Sequence, residues 1–227
     1  MWYFGALHAH IWRELSANLP VGPGEILDAG CGTGGLIRRL APRRPEWKWT
    51  GLDVSPLACE RARQRTDADI REGSVTALPF RDGEFSAVVS ADVLYHLDDD
   101  QTALREMARV LRPGGVVVIN VPAHRWLWSY HDTAVAGRRR YSRKELAHKL
   151  TAAGLAPRRL THWNTLLLPA IAARRKLLPP PSGGSDVKLS APWVERSLAG
   201  VLALETTWVR GIGNLPAGSS ILAVAAR

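Results

Sequence analysis

The amino-acid sequence predicts an α/β fold built on a mostly parallel β-sheet. Short apolar runs of the kind that form buried strands occur at residues 25–30, 47–54, 68–73, 85–91 and 115–121. Helical patterns lie between them, and strands that alternate with helices form a doubly wound sheet with helices on both faces. The length of 227 residues and the hydrophobic content of 46% suit a single domain, 1–227, with a substantial core.

The predicted helices follow the strands in order. They are residues 34–41, 56–65, 98–115 and 142–155, and two further strands are expected at 158–164 and 219–226. The third helix has the clearest pattern, because its acidic first turn suits the helix dipole and Leu104, Met107 and Leu111 share one face. We expect Pro113-Gly114 to end this helix.

Residues 164–216 separate the last two predicted strands, and we call them the cap segment. They comprise an apolar stretch at 164–178, a linker-like break rich in Pro, Gly and Ser at 179–185, and an expected helix at 193–211. Because apolar helices must bury against something, a substrate cap, a dimer face and a peripheral membrane contact through residues 165–178 are all open. The oligomeric state is equally open.

Charge and cysteine content limit the classes of function. The net charge of +9 could serve an anionic partner, but the basic residues are spread over many predicted elements, which favours a solvated surface over nucleic-acid binding. Cys31 and Cys59 show neither metal-ligand spacing nor a disulfide framework, so no metal site is expected. The chain starts without the features of a secretion signal, and no apolar run reaches roughly 18 residues, so we expect a cytoplasmic protein.

A glycine-rich motif lies at the end of the first predicted strand. The run ILDAGCGTGG places Gly30, Gly32, Gly34 and Gly35 where a sharp turn opens a helix, and a ligand can approach backbone that carries no side chains. Asp53 ends the second predicted strand, where a carboxylate can accept both ribose hydroxyls of an adenosine-containing ligand. Because Gly30-x-Gly32-x-x-Gly35 also fits the dinucleotide fingerprint, this segment alone leaves NAD and a methyl donor near parity.

Two later segments separate these interpretations. EGSVTALPFRDGEFSAVVSADVLYHL and RVLRPGGVVVINVP resemble, in order and spacing, the later motifs of class I S-adenosylmethionine-dependent methyltransferases, and the resemblance covers residues 20–122. It implies a Rossmann-like sheet of seven strands with an antiparallel closing strand, and S-adenosyl-L-methionine as cofactor. An NAD-dependent oxidoreductase is disfavoured, since Tyr95, Tyr130 and Tyr141 have no lysine four residues on.

The resemblance also implies positions for the cofactor. In the family, the equivalents of Gly30, Cys31, Gly32 and Gly34 surround the amino-acid moiety, that of Asp53 holds the ribose, that of Val54 faces the adenine, and those of Ser74 and Val75 flank the adenine edge. Asp28 and Ala91 are expected in the same site. Ser74 departs from the aspartate that many relatives carry, and it is a weaker partner for the adenine amino group. From the residues alone, Asp28 could instead pin the glycine loop, and Asp53 could be a surface cap.

Residues 122–142, which we call the lid, concentrate the candidate substrate contacts. The lid follows the fifth strand at the sheet edge where open α/β folds bind ligands. The candidate substrate residues are His124, Trp126, Trp128, Tyr130, Arg140 and Tyr141, and the candidate bases are His131 and, after the fourth strand, His96. Ordinary burial within the lid and contact with a substrate explain the aromatic residues equally well. A solvated basic turn explains Arg140 better than a phosphate or carboxylate clamp does.

The lid sequences RWLWSYHD and GRRRYSRKEL, with the opening WYFGAL, resemble a bacterial subgroup of the family in which this lid and an extended C-terminal part recur. The leading hypothesis is a methyltransferase that acts on a small-molecule or lipid-like acceptor by in-line transfer. A nucleic-acid methyltransferase is the alternative, but this chain lacks the Asn/Asp-Pro-Pro-Tyr type of signature that such enzymes often show. A non-catalytic domain that keeps the fold is a third hypothesis, against which the intact glycines and Asp53 argue.

Overall fold

The computed structural model describes residues 1–179 and 191–227, without the side chains of residues 207–212. Within these residues one sheet contains β1 (Gly24–Ala29), β2 (Trp47–Asp53), β3 (Asp69–Glu72), β4 (Phe85–Ala91), β5 (Leu111–Pro122), β6 (Ala156–Trp163) and β7 (Ser220–Ala226). The α-helices are α1 (Trp2–Asn18), α2 (Gly35–Leu40), α3 (Pro56–Arg63), α4 (Asp100–Val110), α5 (Tyr130–Ala134), α6 (Arg143–Ala152), α7 (Leu168–Leu177) and α8 (Pro192–Ile212).

The sheet has the strand order β3-β2-β1-β4-β5-β7-β6. Strand β7 runs antiparallel to β5 and β6, and the remaining neighbours are parallel. The predicted Rossmann-like sheet of seven strands with an antiparallel closing strand is therefore confirmed. The chain winds outward from β1 in one direction and from β4 in the other, so the carboxyl ends of these two strands flank the crevice where such folds bind ligands.

Both faces of the sheet are buried. In β5, Val117 and Ile119 join the core beneath α4 and α6, whereas Val116 and Val118 join the core beneath α1, α2, α3 and α8. This two-sided burial explains why the central strands read as almost continuous apolar runs in the sequence. The expected helices on both faces are confirmed.

One predicted helix ends earlier than its pattern suggests. The helix was expected to end at Pro113-Gly114, but α4 stops at Val110 and Leu111 already pairs with Phe85 as the first residue of β5. The backbone before a proline is restricted to extended conformations, so the helix must end before Arg112. Leu111 still enters the core, from the strand instead of the helix.

The helix α1 was not predicted by the sequence pattern. It buries Leu7, Ile11 and Leu15 against the sheet and packs against α8. Its buried Glu14 pairs with Arg159 of β6 at 2.9 Å. This packing brings the aromatic residues of its first turn to the carboxyl edge of the sheet.

The cap segment is fastened to the sheet through α8. Glu205 accepts hydrogen bonds from the backbone N–H groups of Asn164, Thr165 and Leu166, which directly follow β6. The apolar stretch at 164–178 contains α7, and the helix expected at 193–211 is observed as α8. The predicted break at 179–185 lies, beyond its first residue, outside the described residues. Among the residues described, no helix is long and apolar enough to cross a membrane.

Candidate active site

The glycine motif forms the loop between β1 and α2. Gly30 and Gly32 have φ angles of +94° and +52°, which residues with side chains rarely adopt. A Cβ atom at Gly30 would lie 2.2 Å from Cγ2 of Val93, so glycine allows the segment after β4 to pack against the loop. At Gly32, no other described residue beyond its chain neighbours comes within 4 Å of such an atom. The loop therefore presents bare backbone to the crevice.

A carboxylate at the end of β2 holds this loop in place. Oδ2 of Asp53 accepts a hydrogen bond from the N–H of Gly32 at 2.8 Å, and Oδ1 accepts one from the N–H of Ser55 at 2.9 Å. The N–H groups of Gly30 and Cys31 donate to the carbonyl of Leu52 at 2.7 and 3.0 Å. Pinning of the loop, which the sequence suggested for Asp28, thus belongs to Asp53. A carboxylate has about four lone-pair sites, so Asp53 can still accept from ribose hydroxyls.

Asp28 lies beneath the same loop with one oxygen unsatisfied. Its side chain is buried, and Oδ2 has no hydrogen-bond partner among the described residues. Burial, with a smaller contribution from the charge of Asp53, raises the pKa of Asp28 to about 7. An unsatisfied buried acceptor is costly, so this oxygen suits a ligand group that donates hydrogen bonds and carries positive charge.

A cleft of about 1320 Å³ opens beside the glycine loop at the carboxyl edge of the sheet. Its walls come from that loop, the first turn of α1, the end of β4, the lid, α7 and the start of β7. Trp2 and Phe4 of α1 and Leu167 and Ile171 of the cap segment supply apolar surface. The volume exceeds the roughly 300–1,000 Å³ of ordinary ligand pockets, so two small molecules can lie in it together.

The structure gathers part of the predicted cofactor site in this cleft. Asp28, Gly30, Cys31, Gly32 and Ala91 line it. The other five predicted cofactor residues lie outside its lining. Gly34 packs on Ala62, and Asp53 pins the loop. Val54 is 73% exposed, Ser74 bonds to Thr76 at 2.7 Å, and Val75 is buried in the core. Adenine contacts by Val54, Ser74 and Val75 stay proposals. Because its side chain is buried in the core, Val75 has only its backbone to offer.

The two predicted bases are in different places. His131 of α5 lines the cleft. His96 lies outside the cleft lining, where its ring is 3.9 Å from that of Tyr95 and its Nδ1 lies 3.2 Å from the carbonyl oxygen of Ala136. His96 therefore links the lid to the segment that follows β4, and its role as a base stays a prediction.

Most of the predicted substrate residues of the lid do not line the cleft. The ring of His124 stacks on that of His162 at 4.9 Å, Trp126 and Trp128 are 54% and 36% exposed, and the ring of Tyr130 lies beneath Arg174. Tyr141 is fully buried, and its hydroxyl donates to Asp100 at 2.7 Å. The prediction for Tyr141 is wrong, because a side chain with no exposed surface cannot contact a substrate.

Arg140 lines the cleft but is committed to the lid. Its Nε and Nη2 donate to the two carboxylate oxygens of Asp132 at 2.7 and 3.1 Å, and its Nη1 donates to the carbonyl of Ala123 at 2.9 Å. Asp132 also accepts from the N–H of Ser129, which begins α5. Both side chains of the pair are buried, so Arg140 is neither the solvated turn that the sequence favoured nor free for the phosphate or carboxylate clamp that was the alternative, and it instead ties the lid together internally.

A polar cluster in the cleft was not predicted from the sequence. Tyr3, Asp92 and Ser220 line the cleft there, with Asn120 and Trp163 behind them. Two signals pointed to it: Asn120 interrupts the apolar run of β5, and Asp92 follows β4 directly. No signal pointed to Tyr3, which lies far away in sequence.

Comparisons with known proteins agree with this site. A family described as a methyltransferase domain matches residues 27–119, which contain the glycine loop and Asp53. The chain is 32% identical over 196 residues to a probable S-adenosylmethionine-dependent methyltransferase of Mycolicibacterium smegmatis, an alignment that covers 80% of this chain and 72% of that protein. The chain belongs to the S-adenosylmethionine-dependent methyltransferases, and the NAD-dependent alternative is set aside.

Two further relatives define the extent of the likeness. The 2-methyl-6-phytyl-1,4-hydroquinone methyltransferase of a Synechocystis strain is 31% identical over 184 residues, which are 70% of this chain and 55% of that protein. The crystal structure of an S-adenosylmethionine-dependent methyltransferase from Mesorhizobium loti has a TM-score of 0.64 at 18% identity, covers 95% of this chain and 97% of that one, and shows the shared fold. The chain spans about half the length of several curated relatives that it matches.

The residues of the cleft fit the methyl donor of this family. The donor has an α-ammonium group, which matches the unsatisfied Oδ2 of Asp28 in charge and in hydrogen-bonding role. The open space at Gly32 leaves room for the backbone to approach its amino-acid part. Asp28, Gly30 and Gly32 would thus hold the amino-acid end, and Asp53 would hold the ribose.

The pKa of Asp28 predicts a pH dependence of donor binding. Asp28 must lose its proton to pair with an ammonium group, so affinity for S-adenosylhomocysteine should fall as the pH drops below about 7, by at most about tenfold per pH unit. In Asp28→Asn the affinity should be lower and nearly independent of pH. Calorimetry between about pH 5.5 and 8 measures this, with Asp69→Asn, an exposed strand position, as the control. A pH dependence unchanged in Asp28→Asn would contradict the assignment.

Proposed function

We propose that this protein transfers the methyl group of S-adenosylmethionine to a small-molecule acceptor with an apolar body. The observation that carries the proposal is a continuous cleft, which is lined both by the glycine loop and by apolar side chains of α1 and the cap segment. The glycine loop offers bare backbone beside Asp28, which suits the donor. The first turn of α1 and the cap segment offer aromatic and aliphatic side chains, which suit an acceptor rich in carbon.

The reaction that these residues support is an in-line displacement. The bound donor supplies a methyl group on a positively charged sulfur, and the neutral thioether that remains is a good leaving group. Alignment of the acceptor and exclusion of water then provide much of the rate. Asp28 and the glycine loop orient the donor, while the first turn of α1, the lid and α7 enclose the acceptor. His131 remains a candidate base at the lid wall.

The acceptor is proposed to be lipid-like. Leu167 and Ile171 give the cleft apolar surface beside Arg174 and Arg175 of α7, and a relative that is 31% identical carries in its name a hydroquinone with a phytyl chain. A nucleic-acid acceptor is disfavoured, because several basic side chains are used within the protein: Arg109 with Glu106, Arg140 with Asp132 and Arg159 with Glu14.

An acceptor screen tests the proposal. Transfer of tritium from methyl-labelled S-adenosylmethionine should be seen with a prenylated phenol such as 2-geranylphenol, and not with RNA or DNA. Ile171→Asp puts a charge on the apolar wall, so it should raise the KM for the prenylated acceptor at least about tenfold without changing donor affinity. Val21→Asp, at a position that is 92% exposed, is the control. Labelling of nucleic acid alone would refute the proposal.

We also propose peripheral membrane contact through residues 165–178. Leu177 and Leu178, the last two residues of this segment, are 79% and 56% exposed, beside the cation Lys176. A lipid-like acceptor would then enter the cleft from the bilayer surface. The protein should sediment with vesicles that contain anionic lipid, and the double variant Leu177→Asp/Leu178→Asp should sediment less. Equal sedimentation of the two proteins would argue against this contact.

A further inference from the structure

The carboxylate of Asp92 stands beside the glycine loop. Asp92 follows β4 in a left-handed conformation, with φ +56°, and its N–H donates to the carbonyl of Asn120 at 3.0 Å. Its neighbour Val93 fills the space that Gly30 leaves open. The chain is therefore strained at Asp92, and this conformation sets the carboxylate in the cleft next to the loop that would hold the donor.

Neutral groups hold this carboxylate. Nδ2 of Asn120 donates to Oδ1 at 2.7 Å, and the hydroxyl of Tyr3 donates to Oδ2 at 3.1 Å. Asn120 is fixed in turn by Trp163, whose indole N–H donates to its Oδ1 at 2.7 Å. Burial raises the pKa of Asp92 to about 6, against the lowering effect of these two hydrogen bonds. The raised pKa makes this carboxylate a stronger base than an exposed aspartate.

The other carboxylates that line the cleft are differently placed. Asp132 forms a bidentate ion pair with Arg140. Asp28 lies beneath the glycine loop beside Asp53, where it suits the ammonium group of the donor. Asp92 is hydrogen-bonded to Tyr3 of α1, whose hydroxyl also lies 3.3 Å from Ser220 of β7. Among the described lining carboxylates, it is therefore the one that neither the ion pair nor the donor occupies.

An unsatisfied acceptor, the side-chain oxygen of Asn164, also lines the cleft that Asp92 lines. Asn164 follows β6 with φ +60° and is 1% exposed, and its Oδ1 has no partner among the described residues. Its Nδ2 donates to Ser219 at 2.8 Å, and the next residue, Ser220, lies 3.3 Å from the hydroxyl of Tyr3. Asp92 and Asn164 thus share one polar wall that offers acceptor oxygens. Acceptor oxygens of this kind suit a ligand that carries hydroxyl hydrogens.

We propose that the acceptor carries a hydroxyl group and that Asp92 is the catalytic base that removes its proton. This inference rests on the methyltransferase activity proposed above. The hydroxyl proton passes to a carboxylate oxygen of Asp92 while an oxygen lone pair forms the bond to the methyl carbon. The methyl–sulfur bond breaks, and its electron pair stays on sulfur as neutral S-adenosylhomocysteine is released. Asn164 accepts a hydrogen bond from a further donor on the acceptor, and Tyr3 is a positioning residue for Asp92.

A binding comparison tests the hydroxyl preference without turnover. The probes are 2-geranylphenol and its methyl ether, which lacks the O–H donor, titrated into protein saturated with S-adenosylhomocysteine at about pH 7.5. The wild type should prefer the phenol by about tenfold or more, since its hydroxyl can donate a hydrogen bond to the charged carboxylate and the ether cannot. Asp92→Asn should lose most of this preference while it keeps its affinity for S-adenosylhomocysteine. A wild type without preference would overturn the inference.

Turnover separates a catalytic role from a structural one. In Asp92→Asn the kcat for methylation of 2-geranylphenol should fall about 10²–10⁴-fold with little change in donor KM, because an amide cannot take the proton. Tyr3→Phe keeps the carboxylate and should lose much less. Asp82→Asn, at an exposed carboxylate, is the matched control. If the wild type methylates the phenol and Asp92→Asn does so at an equal rate, the base assignment fails while the proposed function stands.

Discussion

The hydrogen bond from the N–H of Gly32 to the carboxylate of Asp53 organises the candidate site. It ties the glycine loop to the end of β2, and the carbonyl of Leu52 holds the N–H groups of Gly30 and Cys31 beside it. With the loop fixed in this way, the bare edge of Gly30 accepts Val93 and so positions the end of β4. The position of Asp92 beside the loop follows from that packing.

The remaining walls of the cleft depend on buried polar contacts between distant parts of the chain. Glu205 of α8 binds the N–H groups that follow β6, and Arg140 binds Asp132 within the lid. Groups of this kind are costly to bury unless they are satisfied, so each contact favours one arrangement of its segment. The cap segment and the lid are thereby held at the same edge of the sheet as the glycine loop.

Periodicity and turn chemistry predicted the sheet well, because its strands are buried on both faces and bounded by Gly and Pro. The local signals also identified the glycine loop, Asp28 and Asp53. The end of α4 was misplaced, since the restriction that Pro113 imposes on Arg112 outweighed the apolar spacing of Leu111. Helix α1 was missed because its burial depends on α8, which lies far away in sequence.

The substrate side of the site was much harder to predict. Aromatic residues in the lid suggested a cavity wall, yet Trp126 is largely exposed and Tyr141 is wholly buried. The polar wall is formed by Tyr3, Asp92, Asn120 and Asn164, which come from both ends and the middle of the chain. Only the folded sheet brings them together, so no local pattern marks them as a group.

The donor site can be tested by calorimetric binding of S-adenosylhomocysteine to the wild type and to Asp53→Ala, with NAD as the control ligand. We expect micromolar binding to the wild type, a large loss in Asp53→Ala because both the proposed ribose partner and the loop anchor are removed, and no comparable binding of NAD. Absence of binding to the wild type, or a preference for NAD, would contradict this expectation.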